Sequence, residues 1–163
     1  MGTIIVFTLV IGVVSTLVLD LWALLQQRVA GIEAPDWSVA GRWVKGLTRF
    51  QFVLDSSDGK APTHDDKVVG WIFHYLVGIA YALLLFLIWG YAFAVHPTLW
   101  PTVVIGLFLT TFAGLFIFLP ALGAGLAGAR LPDQKAAIAR MIVGHVVFML
   151  AQYFTALCLA ATL

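Results

Sequence analysis

The sequence predicts an all-α fold: an integral membrane bundle of four transmembrane helices, with an amphipathic interfacial helix in the first cytoplasmic connection. Three observations predict it. Hydrophobic residues make up 62% of the 163 and the mean hydropathy is +1.02, outside the range of a soluble domain. Four apolar segments reach the roughly 20 residues needed to cross about 30 Å of hydrocarbon at about 1.5 Å per residue. All but one of the nine basic and eight acidic side chains lie in two stretches, Arg28 to Lys67 and Arg130 to Arg140; the exception, Asp20, sits alone in an apolar run.

The spans run over about 3–25, 68–95, 99–128 and 141–163, in one transmembrane domain covering residues 1–163. Backbone amides cannot go unpaired in lipid, and the segments lack the alternation of a barrel strand, so each is a helix. Every lysine and arginine falls in the first or third connection, which the positive-inside rule assigns to the cytoplasm. Both termini are then non-cytoplasmic, in a multi-pass membrane protein. The first span is no cleaved signal peptide, because Met1-Gly2-Thr3 supplies no basic flank and the apolar run meets Asp20 instead of a small-residue cleavage site.

The cytoplasmic connection, residues 26–67, carries an element of its own. Trp43, Leu47, Phe50 and Leu54 recur at helical spacing beside a basic stripe of Arg42, Lys45 and Arg49, with Pro35-Asp36 as the start. Such a helix lies in the membrane interface with its bases among headgroups, as a brace under the bundle or as a lid. The stretch Asp55-Ser56-Ser57-Asp58-Gly59-Lys60-Ala61-Pro62 reads as a mobile polar loop. Thr63 with Asp66 forms a capping box for the second span, and Pro132-Asp133 a turn and N-cap for the fourth. Pro97 and Pro101 flank the start of the third span, where a missing amide is harmless. At its other end Pro120 breaks the helix, and Gly123 and Gly125 follow, either as a packed kink or as a broken helix lining a cavity.

Ionisable groups inside a membrane point to function, and Asp20, His74 and His145 are the clear ones. Each lies roughly 8 to 13 Å inside the cytoplasmic edge of its span, on three different helices. A carboxylate and two imidazoles in one low-dielectric layer would govern one another's protonation, as a proton relay requires. Arg42 is placed to pair with Asp20 from the cytoplasmic side, and Tyr75 and Gln152 complete the polar set. The competing structural reading makes the histidines interhelical hydrogen-bond donors and Asp20 with Arg42 a register-fixing ion pair.

No cofactor is predicted. His74 and His145 are weak metal ligands, one per helix without an HxxxH pair; as axial ligands of a b-type haem they would need Gly70, Gly78 and Gly144 to make room for the ring. The lone Cys158 excludes a disulfide within the chain. No phosphate loop, nucleophile elbow or HExxH motif is present, which leans against an enzyme, and the charge pattern offers no nucleic-acid surface. The expected partners are the lipid bilayer and further copies of the chain or a larger membrane complex.

Asp20-Leu21-Trp22, Gly41-Arg42-Trp43, Gly70-Trp71, His74-Tyr75 with Gly78, and Pro120 with Gly123 and Gly125 together resemble an uncharacterised family of small bacterial four-helix inner-membrane proteins, classed as a domain of unknown function. The resemblance spans nearly the whole chain. It implies the four-helix fold and a location in the bacterial inner (plasma) membrane, and it carries no catalytic residue. The residues themselves favour a proton-linked carrier or channel for a small solute; the alternative is a structural or assembly subunit, and a haem or metal redox protein comes third.

Overall fold

The computed structural model describes residues 2–55 and 61–162. Among these the regular secondary structure is all helical: α1 (Gly2–Ala30), α2 (Trp37–Leu47), α3 (His64–Val95), α4 (Leu99–Ala121) and α5 (Gln134–Ala160), with a short 3-10 turn at Leu126–Gly128. Four of the five, Ile4–Ala30 within α1 together with α3, α4 and α5, are long and apolar enough to cross a membrane. The segment Ser56 to Lys60, read from the sequence as part of a mobile loop, lies outside the described residues.

Local chemistry sets the helix boundaries. Asp36 caps α2, its carboxylate accepting the Ser38 amide at 3.0 Å and the Ser38 hydroxyl at 2.6 Å. At α3 the capping box closes reciprocally: the Thr63 amide donates to Asp66 Oδ2 at 2.8 Å, and the Asp66 amide to Thr63 Oγ1 at 3.2 Å. Asp133 Oδ1 accepts the Ala136 amide at 3.0 Å and so caps α5. Gly31, at φ +65°, ends α1 in the left-handed turn that suits glycine.

Three boundaries differ from the sequence expectation. The interfacial helix stops at Leu47 and does not run on to Leu54, because a Schellman turn closes it: Gln51 N–H reaches Gly46 O at 3.1 Å and Phe50 N–H reaches Leu47 O at 3.0 Å. Phe50 takes the left-handed position, φ +60°, where glycine is usual. The third span stops at Ala121, not near 128, in a second Schellman turn with Gly123 at its left-handed position; Ala124 N–H donates to Leu119 O and Gly123 N–H to Pro120 O, both at 2.9 Å. Finally α3 is interrupted at Gly90, whose φ of 67° and ψ of −160° are open to a residue without Cβ.

Two stretches of α4, Val103–Leu109 and Gly114–Phe118, are π-helical. The second immediately precedes Leu119-Pro120. Leu119 N–H reaches back five residues to Gly114 O, and this wider turn relieves the crowding that a proline ring imposes on the preceding turn of an α-helix.

The chain forms two compact units. The first comprises residues 1–34, 75–110 and 142–163, so that a portion of each spanning helix contributes. Its core is Phe7 and Ile11 from α1, Ala82, Leu85, Phe93 and Ala94 from α3, Ile105 from α4 and Ala156 from α5. Phe7 meets Phe86 and Phe93 edge-on at centroid distances of 5.6 and 5.9 Å. Small residues bring the backbones close: a Cβ at Gly12 would run into Ile79, and one at Gly78 would overlap the Thr16 hydroxyl. Thr16 and Thr110 donate to the carbonyls of Gly12 and Gly106, four residues back on their own helices, each at 2.7 Å.

The second unit comprises residues 35–74 and 111–141. Here α2 lies across the first turns of α3, with Gly41 against Asp66 and Gly70, and Gly70 against Trp37. Leu54 N–H donates to Ala121 O at 2.7 Å, tying the segment after α2 to the end of α4. Gln134 Nε2 donates to Ala127 O at 3.1 Å.

Candidate functional site

Within the first unit, the isolated carboxylate of α1 has a partner on α3. Tyr75 Oη donates to Asp20 Oδ2 at 2.9 Å, and both side chains are partly buried. A phenol is a fitting donor at this depth, since it brings one hydrogen bond and no second charge. The α5 backbone at Gly144 lies against Leu19, where a Cβ would sit 3.4 Å from Leu19 Cδ1. That contact places α1 beside α5 at Leu19 and Gly144. His145 is partly buried.

Gln152, two turns further along α5, is fully buried. Its amide is packed against Gly106 in the first π-helical stretch of α4, and a Cβ on Gly106 would overlap Oε1. Among the described residues neither Oε1 nor Nε2 has a hydrogen-bond partner, and the same holds for the buried hydroxyls of Ser15 and Thr8 on α1. A primary amide offers two donors and an acceptor, so leaving it unpaired in an apolar interior carries a large penalty.

The second unit holds His74. Its ring stacks on the Trp37 indole, with centroids 3.8 Å apart and planes 21° from parallel, and meets Trp71 edge-on at 5.8 Å. Trp43, Phe73 and Phe118 extend the cluster at centroid distances of 5.6 to 6.1 Å. These rings fasten α2 to α3 and α4, and Trp43 Nε1 donates to Phe52 O at 2.9 Å. Adjacent positions on a helix project differently, so Tyr75 reaches Asp20 while His74 stacks on Trp37. Arg42 lines a pocket of this unit with Lys45, whose ammonium binds buried Asp66 at 2.8 Å.

Of the glycines that would have made room for a haem ring, Gly70 is closed by the α2 backbone and Gly78 by the Thr16 hydroxyl, whereas Gly144 has only the end of the Leu19 side chain in ordinary contact. Among the described residues no group of three or more His, Cys, Asp or Glu side chains forms a metal-binding cluster. Pro120 stands at the end of α4, Gly123 at its cap, and Gly125, φ +78°, opens the turn towards Arg130.

The pattern of the DUF2938 family, proteins of unknown function, matches residues 9–159. The chain belongs to the DUF2938 family. No curated protein and no solved structure matches it. The DUF2938 match runs through Asp20, Tyr75, His145 and Gln152 of the first unit and Trp37, Arg42 and His74 of the second. What sequence reasoning missed was the π-helical setting of Gln152. Gly106, a small buried residue on α4, was its one local signal.

Proposed function

We propose that this DUF2938 protein is a proton-linked carrier or channel for a small polar solute in the bacterial inner membrane, with both termini outside the cytoplasm. The observation that carries the reading is the 2.9 Å hydrogen bond from Tyr75 to Asp20, inside the apolar spans of α1 and α3. Protonation removes the charge of Asp20 and gives it an O–H donor while one oxygen remains an acceptor. The Tyr75 bond that joins α1 to α3 then loses its charge assistance, so proton binding is felt as a weakening of that helix contact. His145, which follows the Gly144 that contacts Leu19, is the second proton-binding group of this reading. Gln152 supplies the solute contact, since its amide presents donor and acceptor inside the bundle with no protein group to answer them. The family match and the four apolar helices support the membrane setting of this reading.

The test is infrared titration of the purified protein in lipid nanodiscs. A carboxyl band that appears on acidification, disappears in Asp20→Asn and moves in Tyr75→Phe is the expected result. A spectrum in which Asp20→Asn changes nothing overturns the reading.

The second reading, a structural or assembly subunit of a larger membrane complex or homo-oligomer, is favoured by the backbone contact of Gly41 with Asp66 and Gly70, which makes α2 a fixed brace. It predicts a stable co-purifying partner or self-association in mild detergent, indifferent to Asp20→Asn.

A further inference from the structure

The second unit contains a pocket of about 450 Å³ that the proton-linked reading leaves unused. Three cationic side chains line it, Arg42 and Lys45 one turn apart on α2 and Arg49 from the turn that closes α2. Two carboxylates also line it. Asp66 is engaged by Lys45 at 2.8 Å and by the Thr63 amide at 2.8 Å, so its charge is answered within the wall. Among the described residues the wall thus carries three cationic groups and two carboxylates, Asp66 and Asp55, and is net positive.

Guanidinium groups are the side chains best matched to phosphate oxygens, because their planar fork donates two parallel hydrogen bonds. The chain that forms the same wall, through Gln51 and Val53, presents an apolar edge: Phe50 is 83% exposed, Phe52 67% and Val53 58%. A basic pocket bordered by exposed aromatic and aliphatic side chains suits a ligand that is anionic at one end and apolar at the other.

We propose that this pocket binds a phosphate group, carried by the headgroup of an anionic phospholipid, with Arg42 and Arg49 as its ligands and the Phe50–Val53 segment against the acyl chains. The proposal is independent of proton-linked transport, because none of these residues belongs to the Asp20–Tyr75 pair.

Dioctanoyl-phosphatidylglycerol, dioctanoyl-phosphatidylcholine and inorganic phosphate are titrated against the delipidated full-length protein in detergent, followed by tryptophan fluorescence. The expected result is saturable binding of phosphatidylglycerol, weakened roughly tenfold in Arg49→Gln and tightened in Asp55→Asn, with Lys135→Gln, an exposed base outside the pocket, unchanged. Arg49 is exposed in a turn, so its variant is expected to fold, which circular dichroism and the unfolding midpoint verify. If inorganic phosphate saturates the protein at the same concentration as phosphatidylglycerol, with the same dependence on Arg49, the lipid source is overturned and the pocket is one for free phosphate. If phosphatidylcholine binds equally well, or Lys135→Gln weakens binding as much as Arg49→Gln, the site is overturned in favour of apolar adsorption or diffuse charge.

Discussion

Gly41 and Gly70 meet backbone to backbone where α2 crosses α3: a Cβ on Gly70 would sit 3.1 Å from the Gly41 nitrogen and overlap the Trp37 carbonyl, while one on Gly41 would overlap the Asp66 carbonyl. This crossing brings Trp37 within stacking distance of His74 and Lys45 within reach of Asp66.

Gly70→Ala is therefore expected to destabilise the second unit by about 3 kcal/mol, since the obstacle is a backbone carbonyl and not a pliable side chain. Gly46→Ala on the same α2 would meet Gln51 no closer than 3.4 Å and should be neutral or stabilising by up to about 1 kcal/mol. Thermal unfolding in detergent micelles, followed by tryptophan fluorescence, measures both. Equal effects from the two substitutions would contradict the crossing.

Phe50→Gly tests the closing turn of α2. Phe50 holds φ +60°, a conformation that costs an L residue about 1 to 2 kcal/mol, and its ring is 83% exposed. Glycine should raise the unfolding free energy in detergent by about 1 kcal/mol. A loss of stability would mean that the phenyl ring contributes more than the turn costs.

The Tyr75–Asp20 bond lends itself to a double-mutant cycle. Tyr75→Phe and Asp20→Asn should couple by about 1 kcal/mol in unfolding free energy, the scale of interhelical hydrogen bonds in membranes. Additive effects would show that the two side chains do not act together.

Gln152→Leu separates function from stability. An amide unpaired in the apolar interior is replaced by an apolar side chain of similar size, so the protein should become more stable by about 1 to 2 kcal/mol. The same variant should lose solute-dependent protection against thermal unfolding in a screen of small polar solutes that protect the wild type. Unchanged protection would remove Gln152 from the solute contact.

Much of the helical layout was legible in the sequence because caps and hydropathy act over a few residues. Thr63 with Asp66, Asp36, and Asp133 form their caps with groups three residues away or fewer, so their roles follow from local spacing. Leu47 as the end of α2 was not legible, because Phe50 and Leu54 continue an apolar periodicity that the Schellman turn overrides. The break at Gly90 and the π-helical turns of α4 were equally hidden: apolar composition reads the same whether the backbone bonds four residues back or five.

By itself the sequence determined the four apolar spans, the basic connections and the set of polar side chains worth suspecting, since each depends on composition along the chain. Only the tertiary structure decided that Asp20 takes its hydrogen bond from Tyr75, 55 residues away, that His74 stacks on Trp37, and that Gln152 is buried against Gly106 without a partner. These pairings depend on which helix faces meet. That is settled by where small residues let backbones approach, at Gly41 and Gly70, Gly12 and Ile79, and Gly78 and Thr16, and no single helix carries that information.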